Sequence, residues 1–489
     1  MKFLLRSTSV AALALVTAAC TTPPPETLKE GDVPSGFTAP AAKDATVWPA
    51  LDWWNGLNAP ELPPLETQAT AQNLDLIAAA ARVAQAQAQT GIAGSALFPS
   101  INASGTAQRS GSNVKGVPGG NTHNTFGVSA QASYEVDLWG LNQDELRAAE
   151  QSELAARYAQ QTVALTIASD VANTYLDVLA LRQRIKIAHG NIDAAKRILS
   201  ITEAKVTNGV SSNLELAQQR AQVAAEEAAV PGLVEQEREA RYALAILLGR
   251  APEGFDVQSV NLDGIVTPPV QPGIPSSLLE RRPDIAQAEA QLLAQHANVD
   301  AARAAFLPQI SLTGSIGAAF NPSSMIWSIG ASLLQAVFDA GKLSDESDLQ
   351  KARQTELLAD YRKAVFSAFS DVETSLGQVS SLAEQERLVN EQEVNAAEAY
   401  RIAELQYREG VTDLLNVLQT QQTLFSAQDQ LVQIKLARLQ AGVGLYRALG
   451  GGCDSPCRAL LPLRRSVSRS QRQWHRPDAS SWTHRRSAP

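Results

Sequence analysis

The sequence predicts an α+β membrane protein made of two tandem repeats, each supplying a pair of strands and a long helical hairpin. Three observations carry this: an internal duplication, short segments of strict apolar–polar alternation, and uninterrupted stretches far longer than a globular helix needs.

The duplication comes first, because it organises the rest. Leu97-Phe-Pro-Ser-Ile-Asn-Ala-Ser-Gly105 matches Phe306-Leu-Pro-Gln-Ile-Ser-Leu-Thr-Gly314, and Asp75 and Asp284 keep the same spacing of 209. Further on, Asn208-Gly-Val-Ser211 matches Glu409-Gly-Val-Thr412, now 201 apart, as are Gly140 and Gly341. The difference falls in one place, the Gly/Asn/Ser-rich stretch from Ser110 to Thr125, and exposed loop tips tolerate such insertions. The first repeat is placed at 66–252, a linker at 253–275 and the second repeat at 276–452.

Two strands are expected in each repeat, at about 98–109 and 125–138 and at about 306–320 and 326–338. From Phe126 to Leu138 every even position is apolar or Ala, and every odd one small or polar. Period two gives one apolar and one polar face. A half-buried soluble sheet satisfies that pattern, as does a barrel with lipid outside and water inside, which needs about 9–11 residues per strand. Aromatic residues at the strand ends, among them Phe98, Phe126, Trp139, Phe306, Trp327 and Phe338, suit interfacial girdles. Four strands are too few for a barrel, so closure requires several copies of the chain.

The remainder is helical, with hairpins at 141–248 and 342–449. No proline interrupts Asn142 to Val206, a stretch that could extend roughly 100 Å at 1.5 Å per residue. After Gly410 two adjacent stripes run at three/four spacing, one through Leu415, Leu418, Gln422, Phe425 and Asp429, the other through Leu414, Val417, Gln421 and Leu424. Two neighbouring seams describe a helix packed on both sides, as in a tube wall; a helical bundle is the alternative. Gly209 and Gly410 suit the left-handed residue ending a helix, with Ser211, Ser212, Thr412 and Asp413 able to cap the next. Ser276-Ser277 and Pro283-Asp284 read as helix starts, and Pro231 should kink its helix.

The first nineteen residues have a secretory layout, with Lys2 and Arg6 ahead of an apolar run and Ala18-Ala19 before Cys20. That position suits an acylated cysteine heading a lipid-anchored extension over 20–65, although Thr17 stands where such sites usually carry Leu. Beyond it no run of about 18 apolar residues is seen, which argues against a helical membrane span. With a net charge of −9 a nucleic-acid partner is not expected. Three cysteines and five scattered histidines assemble no metal site or disulfide framework, and no cofactor motif occurs. Glu226-Glu227 and Glu384/Glu386 could be cast as acid–base pairs, but read as solvating charges on helix faces; an enzyme is not expected. Residues 453–489, with eight arginines and no lysine, depart from the pattern and read as an atypical basic tail, either disordered or an out-of-frame extension.

Two further phrases, Leu279-Glu-Arg-Arg-Pro-Asp-Ile285 and Ala304-Ala-Phe-Leu-Pro308, with Gly410-Val-Thr-Asp-Leu-Leu415 and Leu445-Tyr-Arg-Ala-Leu-Gly-Gly451, resemble the outer-membrane factors of the TolC family over about residues 50–452. Cys20 points to its lipoprotein branch. The resemblance implies a homotrimer with a 12-stranded β-barrel, four strands per chain, continued by a periplasmic α-helical barrel. It implies a passive exit duct for drugs or small toxic molecules, fed by an inner-membrane pump through a periplasmic adaptor. The tips at Gly209, Val210, Ser211, Gly410, Val411 and Thr412 would dock the adaptor, and outer-membrane lipid would surround the barrel. The lipoprotein branch often carries an Asp and an Arg where Gln419 and Gln422 stand here. The expected aperture is therefore a constriction at Leu415 with hydrogen bonding through the two amides. Glu135 and Asp137 on the polar strand face predict a lumen favouring cations and neutral solutes. The competing reading is a periplasmic coiled-coil scaffold or adaptor lipoprotein, which would have no need of four lipid-length strands.

Overall fold

A computed structural model describes residues 27–28, 31–38, 52–112, 121–270, 273, 275–320 and 323–451. Cys20 and the 453–489 tail lie outside the described residues. A short 3-10 turn, Trp53–Leu57, precedes α1 (Leu62–Gln72) and α2 (Leu74–Ser95). The first repeat continues with β1 (Ser100–Ser112), β2 (Asn121–Val136), α3 (Leu141–Thr207) and α4 (Asn213–Leu247). The second comprises α5 (Pro275–Arg281), α6 (Pro283–Ala304), β3 (Gln309–Phe320), β4 (Ser324–Leu334), α7 (Lys342–Arg408) and α8 (Leu414–Ala448).

Equivalent helices have equal lengths in the two copies: 22 residues in α2 and α6, 67 in α3 and α7, and 35 in α4 and α8. Each 67-residue helix spans roughly 100 Å and packs along shorter partners, α3 on α4, α6 and α2 with α8 beside it, α7 on α8 and α6. Packing of the apolar seams, more than propensity, stabilises these helices. The roots of the hairpins share the largest core, in which Val171, Tyr175, Leu176, Val365, Val372 and Val443 are buried around Leu278 and Ile285. A second core, nearer the tips, joins the two hairpins through Ile198, Tyr400, Tyr407, Leu414, Val417 and Phe425.

The four strands form one antiparallel sheet in the order β1-β2-β3-β4. Its bounds differ from those read in the sequence: β1 runs on to Ser112, β2 begins at Asn121, and β4 covers 324–334 rather than 326–338. The last strand stops early because its ladder with β3 ends at the Gln309–Leu334 pair; beyond it the Gln335 amide donates to the Phe306 carbonyl at 3.2 Å. Asp339 then takes up backbone N–H groups of Gly341 and Leu343, each at 3.0 Å. Pro231 lies inside α4 without ending it. The expectation about apolar length also needs correcting. Among the described residues α3 contains an 18-residue stretch of mean hydropathy 1.2, half of it buried, whose apolar side chains serve the core.

The repeats are tied at equivalent points by different chemistry. Asn73 caps α2 by accepting from Asp75 N and Leu76 N and donates to the Leu247 carbonyl at 2.8 Å. Its counterpart Arg282 donates to the Ala448 carbonyl at 3.1 Å and also pairs with Asp284 and with Asp371 of α7.

The linker becomes a strap across the hairpin roots. Val266 N donates to Leu57 O (3.1 Å), and the Tyr446 hydroxyl donates to Pro268 O (2.8 Å). Where the strap crosses α8, a Cβ on Gly442 would lie 2.1 Å from Thr267 Cγ2. Gly442→Ala should therefore lower the unfolding temperature by displacing the strap, at a cost of about 1–3 kcal/mol. Thr267→Gly in the same chain should recover most of the loss, as read by thermal denaturation.

Candidate functional site

The hairpin turns are built identically. Gly209 (φ +73) and Gly410 (φ +77) adopt the left-handed conformation that only glycine reaches without strain. Val210 N then reaches back to Lys205 O at 2.9 Å and Val411 N to Gln406 O at 2.8 Å, satisfying the last carbonyls of α3 and α7. The returning helices are capped by Ser212, accepting from Glu215 N, and by Asp413, accepting from Asn416 N. Ser211 bonds Glu215 instead, and Thr412 accepts from Asn416 Nδ2 at 2.8 Å. These caps leave apolar side chains outward: Val210 and Val411 are 73% and 74% exposed, and Leu214 and Leu415 stand exposed one turn on. Behind them the tips are joined, since Thr202 Oγ1 and the Tyr407 hydroxyl lie 3.0 Å apart and Lys205 sits over the Tyr407 ring. Burial raises the Tyr407 pKa.

Above the tips the two hairpins meet in a polar groove of roughly 320 Å³ that includes Arg184, Asn191, Glu226, Gln422, Ser426 and Asp429. Arg184 of α3 forks onto Asp429 of α8, Nε to Oδ1 at 2.6 Å and a second bond at 3.2 Å. Gln433 Nε2 donates to the same carboxylate at 2.5 Å. One step further from the tips Gln440 donates to Asp177 at 2.9 Å, while burial raises the Asp177 pKa. A charged inter-hairpin bond thus exists, though not at the positions where one was sought. Gln419 and Gln422 are exposed, and Gln422 reaches only Ser426 on its own helix, at 3.4 Å. Between them Gln421 is fully buried with both amide atoms unpartnered. The sequence trace of the ion pair was Asp429, the one charged residue of that stripe.

One face of the sheet carries Ile101, Val128, Tyr134, Ile316, Trp327 and Ile329; the other is mostly small hydroxyls and amides, interrupted in β4 by Ile326 and Leu334. Cross-strand serine pairs stand at Ser100–Ser133 (3.0 Å), Ser104–Ser129 (2.9 Å), Ser311–Ser332 (2.7 Å) and Ser315–Ser328 (2.8 Å). Asp137, expected on this face, instead accepts from Gln143 N at 2.9 Å, at the start of α3. Trp139, expected in a girdle, donates to Pro308 O at 2.7 Å and ties the repeats together.

The carboxylates considered for catalysis are not gathered into a site. Glu227 pairs with Lys196, Glu384 with Arg387 and Glu386 with Arg438, while Glu226, whose pKa burial raises, accepts from Gln222. Where α2–α3 and α6–α7 meet next to the sheet, Asp144, Arg147, His296 and Asp300 converge. There burial raises Asp144 to about 6 against the pull of Arg147.

The profile of the outer membrane efflux protein family matches residues 65–250 and 274–451. The chain is 40% identical to the pyoverdine export outer membrane protein OpmQ of Pseudomonas aeruginosa, across 93% of this chain and 99% of that one. It is 30% identical to the cation efflux system protein CusC of Escherichia coli, across 80% and 87% respectively. Among solved structures it superposes on the outer-membrane channel OprN with a TM-score of 0.81 at 27% identity, covering 89% of this chain and 99% of that chain. The open MtrE channel of Neisseria gonorrhoeae gives 0.79 at 28% identity, covering 88% and 98%. These relatives are channels, which speaks against an enzyme and favours a duct over a scaffold. The protein is an efflux channel of the outer membrane reaching into the periplasm, and the chain belongs to the outer membrane efflux protein family.

Proposed function

We propose that three copies of this chain close their sheets edge to edge into a 12-stranded barrel continued by a helical tube. The carrying observation is an open four-stranded sheet with one lipid-suited face, one hydroxyl face, and outer strands β1 and β4 each paired on one side only. A barrel has no edges, whereas an open amphipathic sheet in lipid leaves backbone groups unsatisfied. Light scattering on protein extracted from outer membranes tests this: a trimer is expected, and a detergent-stable monomer would overturn it. Cys20 supplies an acyl anchor at the membrane, which the intact mass of the mature chain reveals.

The tips dock a periplasmic adaptor through the apolar rim formed by Val210, Leu214, Val411 and Leu415, with Gly209, Ser211, Gly410 and Thr412 fixing its shape. Val210→Asp with Val411→Asp should abolish adaptor co-purification and export while the trimer still assembles, because exposed tip substitutions cost little stability. Retained co-purification would refute the docking role. Leu415, Gln419 and Gln422 line the narrow end, and the Arg184–Asp429 pair holds it closed. An inner-membrane pump supplies the energy.

The cargo we infer is a hydrophilic secreted metabolite of the siderophore kind. Identities of 40% and 39% to two pyoverdine export proteins, against 31% to a toluene efflux channel, support this, as does the hydroxyl-lined face. A deletion strain should release less iron-chelating activity into the medium. Unchanged chelator release with new antibiotic sensitivity would instead establish the drug-efflux reading.

A further inference from the structure

We infer that Glu135 is the charge-reading residue of the barrel: the one carboxylate offered to solutes on an otherwise neutral hydroxyl wall. This rests on the proposed barrel, in which the polar face lines the water-filled lumen. Along β1 to β4, Glu135 is the only acidic residue and Arg109 the only Lys or Arg. Arg109 pairs opposite Asn124 and alternates with Ile101, Ala103 and Ala107, which puts it on the apolar face near the outer hairpin. Glu135 pairs opposite Ser311, two residues along from the Ser133–Thr313 pair, and so stands at the periplasmic end of the ladder. It is exposed and makes no hydrogen bond or ion pair among the described residues.

The two neighbouring carboxylates keep their charge but are half-buried beyond the end of the ladder, so they act on the lumen less directly than Glu135. Asp137 is bonded to Gln143 N, and Asp339 is bonded to Gly341 N and Leu343 N, so both serve helix starts. The serines, for their part, are paired with one another and present hydroxyls without net charge. Nothing on the wall opposes the field of Glu135, and in a trimer three copies stand at one level, where the barrel gives way to the helices. Low-dielectric walls around such a ring concentrate its potential. The ring enriches cations, passes neutral hydrophilic solutes, and slows polyanions.

A thiol beside the ring reports its field locally, whatever the state of the distant aperture. The experiment uses Ser311→Cys in the full chain with Cys453→Ser and Cys457→Ser, on cells exposed to membrane-impermeant cationic or anionic thiosulfonate reagents of equal size. Relative to a free thiol, the cationic reagent should react about tenfold faster than the anionic one at low salt, the preference shrinking as salt rises. Adding Glu135→Gln should remove most of that preference while both reagents still react. A preference that survives Glu135→Gln overturns the inference and leaves the barrel intact. Failure of the Ser311→Cys thiol to react with either reagent, in protein shown to be present and extractable as a trimer, removes the lumen reading itself. A thiol at Ala130→Cys, on the apolar face, should react with neither.

Discussion

Arg184→Ala, or Asp429→Ala, should leave the duct leaking at its periplasmic end. The pair joins α3 to α8 across the groove between hairpins, with the arginine side chain 23% and the aspartate 40% exposed. A pair so placed contributes about 1 kcal/mol, well below its value in a dry interior. Three copies in a trimer sum to about 3 kcal/mol, enough to shift the closed-to-open ratio roughly a hundredfold. Single-channel conductance in planar bilayers should rise, and cells should become sensitive to bulky antibiotics. The charge-swapped chain, Arg184→Asp with Asp429→Arg, should close again. If neither single substitution changes conductance, the pair is a packing contact and the latch lies elsewhere. The repeat itself provides the contrast: positions 201 residues away hold Gln385 and Ala228, so the other hairpin has no such bond.

The second large effect is on stability. Glu66 lies on the stripe Leu62–Glu66–Ala69 of α1, is 2% exposed, and has an Oε1 without a partner. Burial pushes its pKa from 4.5 to about 9, so the fold favours the protonated acid. The unfolded chain releases that proton near pH 4.5 and the folded one near 9. The stability linked to this group is therefore complete below 4.5 and falls as pH rises through that window. Glu66→Gln, which mimics the neutral acid at every pH, should be neutral at pH 4.5. At pH 8 it should stabilise by an amount on the order of 3 kcal/mol. Thermal unfolding at the two pH values checks this, and equal melting shifts at both would rule out a buried acid as the cause.

What could be read in the sequence was whatever repeats or alternates. The strand pairs announce themselves because a pleat exposes every second residue, and the tips because a left-handed turn selects Gly209 and Gly410. Contacts between residues far apart leave no periodic trace: Arg184 and Asp429 are separated by 245 positions. Asp137 alternates correctly with the polar face, yet the first turn of α3 offers it an unpaired N–H and takes it away from the lumen. β4 is shortened for another reason: beyond the Gln309–Leu334 pair β3 offers it no partner. The strap over Gly442 was invisible because the linker has neither period nor strong propensity; its place is set by Tyr446 and by the gap that glycine leaves.

The unequal ties at Asn73 and Arg282 have a mechanical consequence. Asn73 fastens the start of α2 to one helix end, whereas Arg282 clamps α6, α7 and α8 together through Asp371 and the Ala448 carbonyl. The second hairpin is thus held at its base like a lever at its fulcrum. From Asp371 to the end of α7 at Arg408 there are 37 residues, an arm of roughly 55 Å. A tilt of about 5° at the fulcrum carries the free end roughly 5 Å, and the level of Asp429, one turn past the Tyr400–Phe425 contact, about 3 Å, enough to part a hydrogen-bonded pair. Small adjustments at the hairpin root and the parting of an ion pair above the tips are two ends of one stiff rod.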